Sequence, residues 1–147
     1  MTRREAVAAL AAGALLLACG RAPREARPVP IAMGRDECAW CRMTIDDARL
    51  AAEYVPRDGA ASLFGEVGCL LSWRAANPAA AGVAFVAAAE SGAWLDARRA
   101  AYVVGVTRTP MLFNITAHGA APAGVPAGGV MTWEFLLEQG APRATPA

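Results

Sequence analysis

Lysine is missing altogether, so all 14 cationic side chains are arginines, and histidine occurs once. The arginines are scattered, with no stripe and no interleaved aromatic residues, so the electrostatic footprint of a nucleic-acid-binding surface is absent. Long apolar runs are scarce as well. The stretch from Ala6 to Ala18 is interrupted by Gly13 and falls short of the ~20 residues that a permanent membrane-spanning helix needs. Cysteine occupies only positions 19, 38, 41 and 69. No short-period repeat is evident, which excludes a repeat array.

What is present begins with Met1-Thr2-Arg3-Arg4, an apolar segment and then Leu16-Leu17-Ala18-Cys19. A charged start and a short apolar core read as a signal peptide over residues 1–18. Its end resembles the lipobox of bacterial lipoproteins, which implies that Cys19 is acylated and becomes a lipid anchor. Arg3-Arg4 leaves both general secretory and twin-arginine export open. The expected place is the bacterial cell envelope, facing the periplasm, and Gly20 after the anchor favours the outer membrane. Residues 19–32, rich in proline and alternating charge, read as a tether, 33–139 as one domain and 140–147 as an unstructured tail. With Arg3, Arg4 and Glu5 set aside, 12 basic and 12 acidic groups remain, so the mature chain is formally neutral.

Within the domain, Leu50–Val55 and Ala61–Phe64 flank the turn residues Arg57-Asp58-Gly59 and predict a hairpin. Val67, Leu70, Leu71 and Arg74 recur at helical spacing, and Asn77-Pro78 ends the run, predicting a helix over 66–76. Val83–Ala89 and Ala101–Val106 read as strands, the latter as the clearest in the chain, with Met111–Thr116 as a further strand. Thr132 is the expected N-cap of a last helix that ends at Gly140. This mixed order predicts an α+β fold rather than a doubly wound parallel sheet.

The chemistry concentrates in Asp36–Met43, "DECAWCRM". Export places the chain in an oxidising compartment, and three cysteines beyond the anchor are an odd number, which favours a reactive thiol or a metal ligand over a complete disulfide framework. A structural zinc site wants four nitrogen or sulfur ligands, and only Cys69 and His118 could complete one. A thioredoxin-like redox pair wants the motif at a helix start behind a strand, and the preceding "PIAMGRDE" gives no such pattern. Copper(I) asks for less, being soft and content with thiolate and thioether in low coordination. Cys38, Cys41 and Met43 fit that demand, and Met111 follows Thr109-Pro110 at the end of the clearest strand, where loops tend to carry sites. His118 lies in the Gly- and Pro-rich stretch 117–129 and reads either as an additional ligand or as a solvated surface residue. Cys69, beside Leu70 on the expected helix, reads as a small buried apolar side chain.

"CRM" at 41–43, "WLDARRAAYVVGV" at 94–106, "TPM" at 109–111 and "GGVM" at 128–131 together resemble the accessory lipoprotein family of nitrous-oxide reductase, the NosL family, over about residues 36–135. The resemblance implies an α+β fold of two related ββαβ-type halves, similar to that of the organomercurial lyase. It implies no enzymatic activity but a monomeric, membrane-tethered copper(I) chaperone, with Cys41 and Met111 as ligands. The client it implies is a cuproenzyme, nitrous-oxide reductase first, whose copper–sulfide centre would be assembled with the delivered metal. Cys38 and Met43 could add further sulfur. Two alternatives stand beside this reading: a periplasmic protein in which Cys38 and Cys41 cycle between thiol and disulfide, and a lipoprotein in which their disulfide merely closes a turn.

Overall fold

A computed structural model describes residues 25–140. The expected signal peptide and lipidation residue Cys19, the first part of the tether and residues 141–147 of the tail lie outside the described residues.

The first half of the fold is a four-stranded antiparallel sheet of order β2-β1-β3-β4, built from β1 (Ala52–Pro56), β2 (Ser62–Phe64), β3 (Gly82–Ala87) and β4 (Trp94–Asp96). Helix α1 (Val67–Ala76) connects β2 to β3. The second sheet has order β6-β5-β7, from β5 (Ala101–Val104), β6 (Ile115–His118) and β7 (Val130–Met131), and helix α2 (Trp133–Gln139) closes the domain. An isolated parallel bridge between Ala88 and Ala117, with Ala89 N–H donating to the Ala117 carbonyl at 2.8 Å, joins the two sheets. The α+β class read from the sequence is the class observed. Among the described residues no helix is long and apolar enough to cross a membrane.

Three segments depart from the sequence expectations. The first strand starts at Ala52 rather than Leu50, because Leu50 N–H turns back to the Asp47 carbonyl at 3.2 Å. Trp94–Asp96 forms a strand too short to carry a periodic signal. It is set against β3 by the turn at Gly92, whose φ of +74° a side chain would resist. Residues 111–114 are not a strand. Leu112 and Asn114 sit at φ +60° and +55°, and Thr109 and Asn114 exchange hydrogen bonds (Thr109 N–H to Asn114 Oδ1 at 3.1 Å, Asn114 N–H to Thr109 Oγ1 at 2.9 Å). Two left-handed residues cannot propagate an extended ladder, so β6 begins only at Ile115.

Burial explains which faces meet. Val67, Leu70 and Leu71 of α1 are buried, while Trp73 lies 4.9 Å from Tyr54 of β1 and 5.7 Å from Phe64 of β2, ring centre to ring centre. On α2 the buried residues are Trp133 and Leu136, and the Thr132 side chain caps the helix by accepting from Phe135 N–H. Segment 25–32 has no regular secondary structure, yet Val29 N–H donates to Glu53 Oε1 at 2.9 Å and Ile31 packs on the core, so this part of the expected tether lies along the first sheet.

Tyr102, fully buried on β5, packs on Trp133 and donates its hydroxyl to the Ala97 carbonyl at 2.7 Å. Burial pushes its hydroxyl above the usual tyrosine range, so it remains a neutral donor. Tyr102→Phe leaves that carbonyl without its partner. It should lower stability by about 1–3 kcal/mol in urea unfolding, with an unchanged denaturant slope. An unchanged midpoint would show that the bond contributes nothing.

Candidate metal centre

The loop carrying the CxxC pair folds back on itself. Asp36 and Ile45 are joined by a backbone bond of 2.8 Å, Glu37 bridges Thr44, and Cys38 N–H reaches the Met43 carbonyl at 2.8 Å. Arg42 N–H then returns to the Cys38 carbonyl at 3.0 Å, which requires Arg42 to take φ +66°. Such a tight reversal brings the side chains of Cys38 and Cys41 together. Ala39 N–H donates to the Leu63 carbonyl at 2.7 Å, pinning the loop to β2. The Arg42 guanidinium turns out to solvent and pairs with Glu37 at 3.2 Å, so its charge is spent at the surface.

The third thiol comes from α1. Cys69 stands in that helix's first turn and is fully buried, and the Sγ atoms of Cys38, Cys41 and Cys69 lie within 4.8 Å of one another. All three cysteines are free. They line a pocket of about 90 Å³ with Met43, Met111, Pro110, Thr44, Asp46, Gly65 and Glu66. Cys41 and Met111, far apart in sequence, therefore share one small cavity. Larger grooves, of about 450 and 430 Å³, lie around Tyr54 and Arg57 and hold no sulfur, so their size carries no comparable chemistry.

Glu66 ties the two walls of this cavity. It is the N-cap residue of α1, but its carboxylate does not cap the helix. One oxygen accepts from the Thr109 hydroxyl and the other from Met111 N–H, which holds the 109–111 loop against the start of α1. Burial raises the Glu66 carboxyl above its ordinary range, with the two donors opposing that shift. Both oxygens are engaged, so Glu66 positions the loop rather than offering a free ligand atom.

The thiols are electrostatically unequal. Cys38 is held well below the ordinary thiol range, first by the hydrogen bond from Cys69 and then, against desolvation, by backbone donors at Cys41, Gly65 and Trp40. Cys69 is pushed up by the same hydrogen bond and by burial. Desolvation is also the main reason Cys41 rises. Within the cluster these effects favour negative charge on Cys38 over Cys41 and Cys69.

Of the residues singled out in the sequence, Cys38, Cys41, Met43 and Met111 line the pocket, and His118 does not. His118 ends β6 rather than lying in a loop, and its ring nitrogens meet Thr116 Oγ1 at 2.9 Å and Glu90 Oε2 at 3.2 Å. Cys69 and Glu66 were not read as part of the site. The available signal was their spacing of three on the first turn of a helix, which sets both side chains on one face. Set against protein-family models, curated proteins and solved structures, the chain finds no match.

Proposed function

We propose that the domain is a carrier of copper(I), not an enzyme, tethered to the bacterial envelope through Cys19 and handing its metal to a client cuproenzyme. Nitrous-oxide reductase is the client that the resemblance to the NosL family suggests; the first sheet and its helix have the strand–strand–helix–strand order of one such half, whereas in the second sheet the helix follows the third strand. The observation that supports the reading is the gathering of three thiols and two thioethers around one cavity. Thiolate and thioether select soft metals, copper(I) above the divalent ions that prefer nitrogen and oxygen. Metal passes by ligand exchange, so a cavity with an open side suits a carrier better than a sealed cage does.

One observation favours the thiol–disulfide alternative, namely the depressed Cys38 thiol. Its position argues the other way. Cys38 is fully buried, while the half-buried Cys41 is raised, whereas a thiol that attacks a client disulfide needs to be both accessible and ionised.

Anaerobic titration with copper(I) against a competing chelator should give stoichiometric binding, and Cys41→Ser should weaken it by about 10- to 100-fold. The reading fails if the protein takes up no copper(I), or if the serine variant binds as tightly as the parent.

A further inference from the structure

The sulfur atoms of the cavity differ in depth. Cys38 and Cys69 are closed to solvent, Cys41 and Met111 are half-buried, and Met43 is 45% exposed. Three sulfurs held at about 2.3 Å from one ion in a trigonal plane stand about 4 Å apart, and the three Sγ atoms already lie within 4.8 Å of one another. A trigonal all-thiolate seat therefore needs only a small inward adjustment. The thioethers sit on the walls that reach the surface: Met43 follows the CxxC turn, and Met111 is presented by the loop that Glu66 holds.

We propose that the cavity handles its metal in two positions, an inner resting seat made by Cys38, Cys41 and Cys69 and an outer transfer position formed by Cys41, Met43 and Met111. This rests on the copper(I) reading and reassigns its ligands. Cys69 becomes a resting ligand, and Met111 becomes a ligand of passage rather than of storage. Thiolates hold a soft cation more strongly than neutral thioethers, so the ion rests inside. Cys41 belongs to both positions and keeps the ion bound while Cys38 and Cys69 let go. Copper remains monovalent throughout. The bonds to Cys38 and Cys69 that break are replaced by bonds to Met43 and Met111, these and the Cys41 bond then give way to the acceptor's ligands, and each released thiolate takes a proton from water. The same geometry serves any soft monovalent cation, silver(I) included.

Copper(I) bound at one equivalent to selenomethionine-labelled protein should show, by X-ray absorption, three sulfur neighbours and no selenium. Cys69→Ser should lower affinity by about 10- to 100-fold at unchanged stoichiometry and hasten loss of copper to a chelator. The paired change Met43→Leu with Met111→Leu should leave affinity within about threefold and slow that loss about tenfold, since only the outward step is removed. Selenium in the first shell at one equivalent overturns the inner seat, as does a Cys69→Ser variant with parental affinity. An unchanged transfer rate in the double methionine variant overturns the outer position. Should Cys69→Ser fail to fold, the selenium measurement on the unsubstituted thiols still decides. Protein that binds no copper(I) refutes the carrier reading itself, which is a different outcome from copper bound with selenium.

Discussion

Gly68→Ala is expected to destabilise the domain by about 3 kcal/mol and to dislodge Met111 from the sulfur cavity. Two effects oppose each other. An alanine inside a helix gains about 1 kcal/mol over glycine. A Cβ at position 68, however, would stand 2.1 Å from Cγ and 2.3 Å from Cβ of Phe113, where non-bonded carbons prefer about 3.5–4.0 Å. Rotating the ring cannot relieve the second contact, because Phe113 Cβ is fixed to the backbone. That backbone is held at both ends, by Leu112 N–H to the Thr109 carbonyl at 2.9 Å and Gly105 N–H to the Asn114 carbonyl at 2.8 Å. The overpacking exceeds the helical gain, and the whole 109–114 loop must shift, carrying Met111 with it. Urea unfolding of the metal-free protein measures the loss. A double-mutant cycle tests its cause: in a Phe113→Gly background the Cβ and the ring are both gone, and Gly68→Ala should be neutral or stabilising. Equal losses in both backgrounds would refute the steric account.

The same contact illustrates what the sequence could reveal. The continuous apolar run that became β5, the hairpin around Arg57-Asp58-Gly59, and α1 with its Asn77-Pro78 stop are set by local preference, and they stand within two residues of their expected ends. The strand β4 has three residues, too few for alternation to register. The 109–114 loop is governed by left-handed residues and by Glu66, more than forty positions away, so an extended reading of Met111–Thr116 had no local signal against it. The site divides in the same way. Cys38, Cys41 and Met43 are legible because their proximity is written in adjacent positions. Met111 is marked in the sequence by its place just after the clearest strand, and its pairing with Cys41 only through resemblance. Cys69 looks like core because it is core: burial and ligation make the same demand on a small soft side chain, and only the packing of α1 over the CxxC turn distinguishes them. Glu53 went unremarked for the opposite reason, since an acid within a strand pattern reads as its solvent side.

Glu53→Gln is expected to stabilise the domain at pH 8 by about 3 kcal/mol relative to the parent, and to change it little at pH 5. Glu53 is fully buried in β1, on the face opposite Tyr54, in a cross-strand row with Leu63 and Phe85. Asp96 continues that row on β4 but is paired with Arg98 at 2.7 Å. The carboxylate accepts from Val29 N–H through Oε1, and Oε2 has no partner among the described residues. Burial without a compensating charge pushes its pKa up from 4.5 to about 7, the single backbone donor only moderating the rise. A raised carboxyl binds its proton more tightly when folded. The stability associated with that proton is complete below the unfolded value, declines as pH rises through about 7, and is absent above it. Glutamine has nearly the shape of the protonated acid and cannot ionise, so it escapes that decline. The lowered Cys38 thiol acts in the opposite sense over the same range, but it does so in both proteins and cancels in the difference. Urea midpoints for parent and variant at intervals between pH 5 and 8 should therefore diverge steadily as pH rises. A difference that stays constant across that range would mean Glu53 carries no buried charge at neutral pH.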